Sequence, residues 1–498
     1  MDSMQKLAQL KNSGGEVITQ GLPDSVIREF LGQDPLLGEA IDDALSQFER
    51  VEQEIPEIAA AAEADQMRQL QAGFVNFYTD DAINPYVALA ARGPWLITSK
   101  GAVVYDCGGY GMLGLGHAPK AIREAMNRPH VMANIMTPSF GHHRLIEALR
   151  SEIGQRAGRG CPFDRFLCLN SGSEAVSVAA RISDINARTL TDMGGRHHGR
   201  KVKVLSLKGG FHGRTDRPAQ FSDSTQDAYQ RFLHTFREFE GLITVEPNNL
   251  DQLRQVFQEA DEKNLFIEAM FLEPVMGEGN PGMAINPEFY QLARELTRER
   301  DTLLLVDSIQ AGLRTHGCLS IVDYPGFENL DPPDMETYSK ALNGGQFPLS
   351  VLAMTRATAK LYQKGVYGNT MTANPRAMDV ACAVLTEMTQ DRRANIVARG
   401  RELVEKLEGL RAELGGLITM VQGTGLLVSC ALDPSFKIYG TGSVEEHMRK
   451  AGVGVIHGGK HSVRYTPHFG ITSAEVDLIV AATKEAILHE PRLAAETV

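Results

Sequence analysis

Lys340 sits in Glu336-Thr-Tyr-Ser-Lys-Ala-Leu-Asn-Gly-Gly345, a single amine at a turn ahead of small residues. Among 50 Lys and Arg residues, most are expected to be solvated surface charges. Two other segments set this one apart. Leu303-Leu-Leu-Val-Asp307 reads as a buried strand ending in a carboxylate, with Gln310 three residues on. Asn170-Ser-Gly-Ser-Glu-Ala175 follows the strand-like Phe166-Leu-Cys-Leu and opens a helix. The free N–H groups of Gly172 and Ser173, with the positive end of that helix, would then face one spot suited to an anion. Each segment also has a plain reading: Ser173 as an ordinary helix cap, Asp307 as the cap of the next turn, Lys340 as a surface charge.

Taken together and in this order, an imine-forming amine, an anion for a pyridinium proton and a cup for phosphate describe pyridoxal 5'-phosphate (PLP) chemistry. A carboxylate at the carboxyl end of a central strand lies where open α/β sheets bind ligands. Small neighbours let a ring approach Lys340, and a cationic, partly dry site favours its neutral amine.

The elements that must position these groups alternate. Strand candidates at Val202-Lys-Val-Leu-Ser-Leu, Ala269-Met-Phe-Leu-Glu273 and 303–307 are interleaved with helix candidates at 174–185 and 287–300. That alternation predicts a mostly parallel sheet covered on both faces. Residues 1–75 read as a helical extension outside the catalytic core, and 76–125 as the first part of a small domain. Residues 126–365 read as the large domain and 366–498 as the return of the small one, with a long helix pattern at 375–412. A net charge of −12 argues against nucleic acid or an anionic membrane as partner. No apolar run is long enough to span a bilayer, and six scattered cysteines without a CxxC pair suit a reducing, cytoplasmic compartment.

From about residue 80 onward the chain resembles the class III PLP-dependent aminotransferases, the ornithine, acetylornithine and 4-aminobutyrate group of fold type I. The matching marks are Val104-Tyr-Asp with Leu115-Gly-His117, Asn170-Ser-Gly-Ser-Glu-Ala, Phe211-His-Gly-Arg-Thr215 and Glu273-Pro-Val-Met-Gly-Glu-Gly279. They continue through Asp307-Ser-Ile-Gln-Ala-Gly312, Lys340, Asn369-Thr-Met-Thr-Ala-Asn-Pro375 and Arg464-Tyr-Thr-Pro467. The resemblance implies a large domain with a mostly parallel seven-stranded sheet and a smaller α+β domain built from both ends of the chain. It implies Lys340 as the Schiff-base lysine and proton carrier, Asp307 on the pyridine nitrogen, Gln310 at the ring hydroxyl, and Phe211 on a ring face with His212 beside it. Gly172 and Ser173 would hold the phosphate, and Thr370 would reach the phosphate of a neighbouring subunit, which makes the active unit a homodimer. Arg464 would take a substrate carboxylate, Glu278 would mask that arginine for ω-amines, and Glu273 would join them on the substrate side. The implied reaction moves an amino group from an ornithine-, lysine- or 4-aminobutyrate-like donor to a 2-oxo acid, 2-oxoglutarate being the expected acceptor. A racemase or epimerase on the same fold is the alternative.

Three positions depart from the family pattern. The usual Asp-Glu is Asp307-Ser308, the usual Gly-Gly-Asn-Pro is Thr372-Ala-Asn-Pro375, and the usual Arg-Thr-Gly is Arg314-Thr-His-Gly317. Gly109-Tyr-Gly-Met-Leu-Gly114 matches a dinucleotide fingerprint but runs into Leu-Gly-His-Ala-Pro, so it reads as turns. His142-His143 and His197-His198 lack the spacing of a metal site, and no metal is expected. Met132-Ala-Asn-Ile-Met136 reads as core filler.

Overall fold

The computed structural model describes residues 1–132 and 135–489. The chain divides into two compact units, one of Ala121–Val397 with Gly423–Leu427, the other of Met1–Lys120, Ala398–Gln422 and Val428–Val498.

The first unit is organised by a seven-stranded sheet. Its strands lie in the order Arg165–Leu169, Ser350–Met354, Met335–Tyr338, Leu303–Asp307, Leu265–Leu272, Lys201–Leu207 and Leu242–Val245. Ser350–Met354 is antiparallel to both neighbours, and the pairings among the five strands beyond it are parallel. Leu303–Asp307 occupies the centre of the sheet and is buried along its whole length. Such a strand needs cover on both faces. One cover is the helix Gly172–Thr191, whose Ala175, Val176, Ala179 and Ile182 pack on Ala269, Leu303, Leu305 and Met335. Its small residues allow the helix to lie close to the sheet. Another helix, Pro287–Glu299, buries Phe289, Tyr290 and Ala293 and packs against the same central strand.

The stretch 375–412, which patterns as one long helix, is two: Pro375–Glu387 and Gln390–Glu413. Met388 leaves helical geometry at ψ 66°, and the Thr389 hydroxyl accepts the Arg392 N–H at 3.3 Å, starting the second helix. The break escapes the pattern because Thr389-Gln-Asp-Arg-Arg393 suits an exposed helix surface as well as a turn. Pro375–Glu387 packs on Phe140–Glu152, with Asp379 receiving Arg144 at 2.9 Å and His130 at 3.1 Å. Residues 366–397 accordingly lie in the same compact unit as the large sheet. The methionine-rich stretch expected in the core is instead superficial: Met132 and Met136 are 49% and 81% exposed, and Ala133 and Asn134 lie outside the described residues.

In the second unit, strands Ala88–Arg92, Trp95–Thr98 and Val103–Asp106 form an antiparallel set to which Val453–Gly454 adds in parallel. The N-terminal helices pack on this sheet. Asp34 caps Pro35–Glu54 by accepting the Leu36 N–H, while its other oxygen accepts the Trp95 indole N–H at 2.7 Å. Phe30 packs 4.9 Å from the same indole. Glu63 accepts the N–H groups of Ile18 and Thr19, and the buried Lys100 amine donates to the carbonyls of Gly14 and Ala59. The Asp34 and Lys100 contacts tie residues 1–75 to the sheet and its adjoining turn, while Glu63 joins two parts of that amino-terminal layer to each other. No described helix is long and apolar enough to cross a membrane.

Candidate active site

At the carboxyl end of the central strand lies a cavity of about 180 Å³ lined by Ser171, Gly172, Ser173, Phe211, His212, Gly213, Glu273, Asp307, Ile309, Gln310, Ser339 and Lys340. Every one of these belongs to the large-sheet unit.

The anion-binding side is a helix start. Ser171 is the N-cap, accepting the Glu174 N–H at 3.3 Å, and Glu174 reaches back to the N–H groups of Asn170 and Ser171. The cap is therefore Ser171 and not Ser173, which lies in the first turn. A capping box satisfies the outer donors and leaves the N–H groups of Gly172 and Ser173 facing outward from the helix end. A Cβ on Gly172 would meet Ile309 Cδ1 at 2.8 Å, so that position stays small.

Asp307 is 4% exposed. One oxygen lies 2.8 Å from His212 Nδ1; the other accepts the Thr337 hydroxyl and the Ile309 N–H, both at 3.2 Å. A carboxylate at 2.8 Å is best met by a proton on Nδ1, leaving the other ring nitrogen as the free site. That nitrogen, His212 Nε2, is buried without a partner, and so is Gln310 Nε2. Buried polar atoms of this kind call for an explanation, and an absent ligand is one.

Lys340 follows the strand Met335–Tyr338 and starts a short 3-10 turn with φ +39°, a left-handed value that is costly for a residue with a Cβ. Its amine donates to Gln310 Oε1 at 2.9 Å. That approach depends on Gly277, where a Cβ would come within 2.4 Å of the same oxygen.

Glu273 follows the strand Leu265–Leu272, and its two oxygens accept the N–H groups of Phe211 at 2.9 Å and Gly277 at 2.8 Å. Burial pushes its carboxyl up to about 7; His212 opposes the shift, and Asp307 adds to it. Phe211 carries the Arg214 guanidinium 5.4 Å from its ring centroid.

Gly172, Ser173, Phe211, His212, Glu273, Asp307, Gln310 and Lys340 thus line one cavity, and Thr370, Glu278 and Arg464 do not. Thr370 is exposed, next to Asn369, whose amide reaches Glu174 at 2.7 Å, as the Tyr367 hydroxyl does at 3.0 Å. Ala373, where the family pattern has glycine, takes φ +55°. Glu278 is half-buried beside Gly277. Arg464 belongs to the other unit, wholly buried in the strand Ser462–Tyr465 with its guanidinium 5.7 Å from the Tyr110 ring centroid. Sequence reasoning missed Thr337, the hydroxyl partner of Asp307; only the pairing of Asp307 with Thr337 across the sheet reveals it. The glycines 109–114 open no helix. No cluster of His, Cys, Asp or Glu among the described residues could hold a metal.

These residues fit a phosphorylated pyridine aldehyde: an amine, a buried acid, two buried nitrogens without protein partners and a helix start. The aminotransferase class-III family model matches residues 78–487, and the chain belongs to that family, whose members transfer amino groups through PLP between a small-molecule donor and an oxo acid. The chain is 28% identical over 403 residues to an ornithine aminotransferase of Staphylococcus epidermidis, covering 80% of this chain and 93% of the relative. It is 27% identical over 381 residues to an acetylornithine aminotransferase of a Nostoc species, covering 75% and 82%. An ornithine aminotransferase structure from Toxoplasma gondii superposes with a TM-score of 0.73 at 21% identity, over 88% of this chain and 98% of that one. A second structure of that enzyme, described with partial occupancy of PLP at its active site, gives 0.71 at 23% identity, over 86% and 94%.

Proposed function

We propose that this chain moves an amino group from an ornithine-, lysine- or 4-aminobutyrate-like donor to a 2-oxo acid, with 2-oxoglutarate as the acceptor. The observation that carries the site assignment is the convergence of the Lys340 amine, Gln310 and the Asp307 carboxylate on one cavity closed by the first turn of Gly172–Thr191. The ornithine and acetylornithine enzymes among the relatives support the choice of donor. When bound, PLP supplies an electrophilic carbon and a cationic ring that takes up electrons released at the substrate's amine-bearing carbon.

The residues divide the remaining work. Lys340 anchors the cofactor covalently and carries the proton at the substrate carbon that bears the amine. Asp307, steadied by His212 and Thr337, holds the proton on the pyridine nitrogen, because a buried carboxylate stabilises the adjacent cation. Gln310 serves the ring hydroxyl, Phe211 covers a ring face, and Gly172 and Ser173 hold the phosphate. Glu273 acts beneath them, fixing the backbone of Phe211 and of the Gly277 turn that carries Glu278. Arg464 takes the substrate carboxylate and Glu278 masks it for ω-amines. Exposed apolar side chains at Val131, Met136, Phe140 and Met371, with Thr370 at the surface, support a homodimer in which Thr370 serves the neighbour's phosphate. Six unbridged thiols suit a cytoplasmic setting.

The test is a screen of amine donors with 2-oxoglutarate, read at glutamate, joined to borohydride reduction and peptide mapping. Glutamate should form with ω-amino acids, and the cofactor should be fixed at Lys340. Label at any other lysine, or racemisation of the donor with no glutamate formed from 2-oxoglutarate, would overturn the reading.

A further inference from the structure

The family's second carboxylate is missing after Asp307, where this chain has Ser308. The strand beside it supplies one. Met335–Tyr338 runs parallel to Leu303–Asp307 with Val306 opposite Glu336 and Asp307 opposite Thr337. Side chains alternate along a strand, so Thr337 faces Asp307 while Glu336 projects to the other face. There the Ser308 hydroxyl donates to Glu336 Oε1 at 2.6 Å, the Ile321 N–H donates to the same oxygen at 2.9 Å, and the Ser320 hydroxyl donates to Oε2. Glu336 is fully buried. Burial pushes its carboxyl up to about 7, and these three donors pull against that shift.

We infer that Glu336 is a positioning residue that replaces the absent carboxylate at 308 from the neighbouring strand, holding Gln310 in register with Lys340. The inference rests on the reading of Lys340 and Gln310 given above. Glu336 grips residue 308 at one end of the turn and residues 320 and 321 at the other, and Gln310 lies between. The same strand leads, four residues after Glu336, to Lys340. One carboxylate therefore ties the segment bearing the amide to the segment bearing the amine. A glutamate at 308 would extend beyond the Ser308 Oγ position into the volume that the Glu336 carboxylate holds, so the fold has room for one acid there, from either strand. Three donors without their acceptor would be buried unsatisfied, which is costly.

The test uses the full-length protein stripped of cofactor and reloaded. Glu336→Leu should weaken PLP binding by roughly tenfold in equilibrium dialysis, as expected for loss of charge-assisted bonds. It should also shift the pH at which the visible absorbance of the Lys340-bound cofactor titrates. Returning the acid to the other strand, in Ser308→Glu with Glu336→Ala, should restore both to within about threefold. Gln310→Leu should weaken binding in the parent but add little to Glu336→Leu, because the two act as one unit. Parent-like affinity and titration in Glu336→Leu would overturn the inference, as would fully additive losses with Gln310→Leu. If Glu336→Leu fails to fold, Glu336→Gln decides the matter by the same two readouts. Failure of borohydride to label Lys340 in the unaltered protein would instead remove the site reading itself.

Discussion

Glu273 and Glu475 are each 4% exposed, yet their acidities move in opposite directions. Glu273 stands beside the cavity of the large-sheet unit, and its carboxyl is pushed up to about 7. Glu475 lies in the first turn of Ser473–His489 in the other unit, and its carboxyl is held below the usual range. Burial raises both. What differs is the company. Glu475 has the His468 ring at 3.1 Å, with the Thr472 N–H at 2.6 Å and its hydroxyl at 2.8 Å. Glu273 is hydrogen-bonded only by two backbone amides; His212 pulls its carboxyl down without bonding to it, and the neighbouring acid Asp307 pushes it up. A buried carboxylate hydrogen-bonded directly by an imidazole, a hydroxyl and a backbone amide is a helix anchor. One next to another acid, with only amide donors, stays poised near neutrality, the condition expected where protons and charge are handled.

The sharpest way to break this contrast is to compare activity. Lys340→Ala in the cavity should lower amino transfer by about a thousandfold or more in a glutamate-formation assay. Glu475→Gln should leave turnover within about twofold, since that acid serves a helix start. A large loss from the second would erase the division between the regions.

The contrast is sharpened by stability against pH, measured as urea midpoints from pH 4 to 8. Glu273 titrates near 4.5 when unfolded and near 7 when folded, so the folded state binds more protons in that window. Stability should fall as pH rises from about 4.5 to 7, and Glu273→Gln should flatten that slope by on the order of 2 kcal/mol. Glu475 is depressed on folding, so its contribution is present above about 4.5 and lost as pH falls below it. Glu475→Gln should flatten the acid limb and leave the neutral range alone. Equal slopes for the two variants would end the distinction. The smallest effect is expected from Ser171→Ala, about 1 kcal/mol of stability for a lost helix cap, with the opposite half of the capping box, Glu174, still in place.

The parts of the fold set by local pattern are legible in the sequence. The apolar run 303–307 is buried because it is central and covered on both faces, and a mostly parallel sheet follows from strands alternating with helices, its count of seven being what the family resemblance implies. The chemistry-bearing segments around 172, 307 and 340 could be singled out because each carries its own turn or strand-end signature. What escaped was decided across strands or by small breaks. The Ser308–Glu336 bond depends on the pairing of two strands separated by 28 positions in the chain. The Glu273 bond to the Phe211 amide joins residues 62 apart, and no periodicity encodes it. The helix break at 388–389 hides in a polar stretch that also suits a helix surface, and the methionines near 132–136 look like core residues because composition is silent on which side faces out.

Trp95 is the chain's single tryptophan, clasped by Asp34 and Phe30 from the amino-terminal helices. The intrinsic fluorescence of the whole protein is therefore a local gauge of how that helical layer sits on its strand. An emission shift during denaturation would time the undocking of this layer, and a separate probe, such as cofactor absorbance, would be needed to follow the seven-stranded unit.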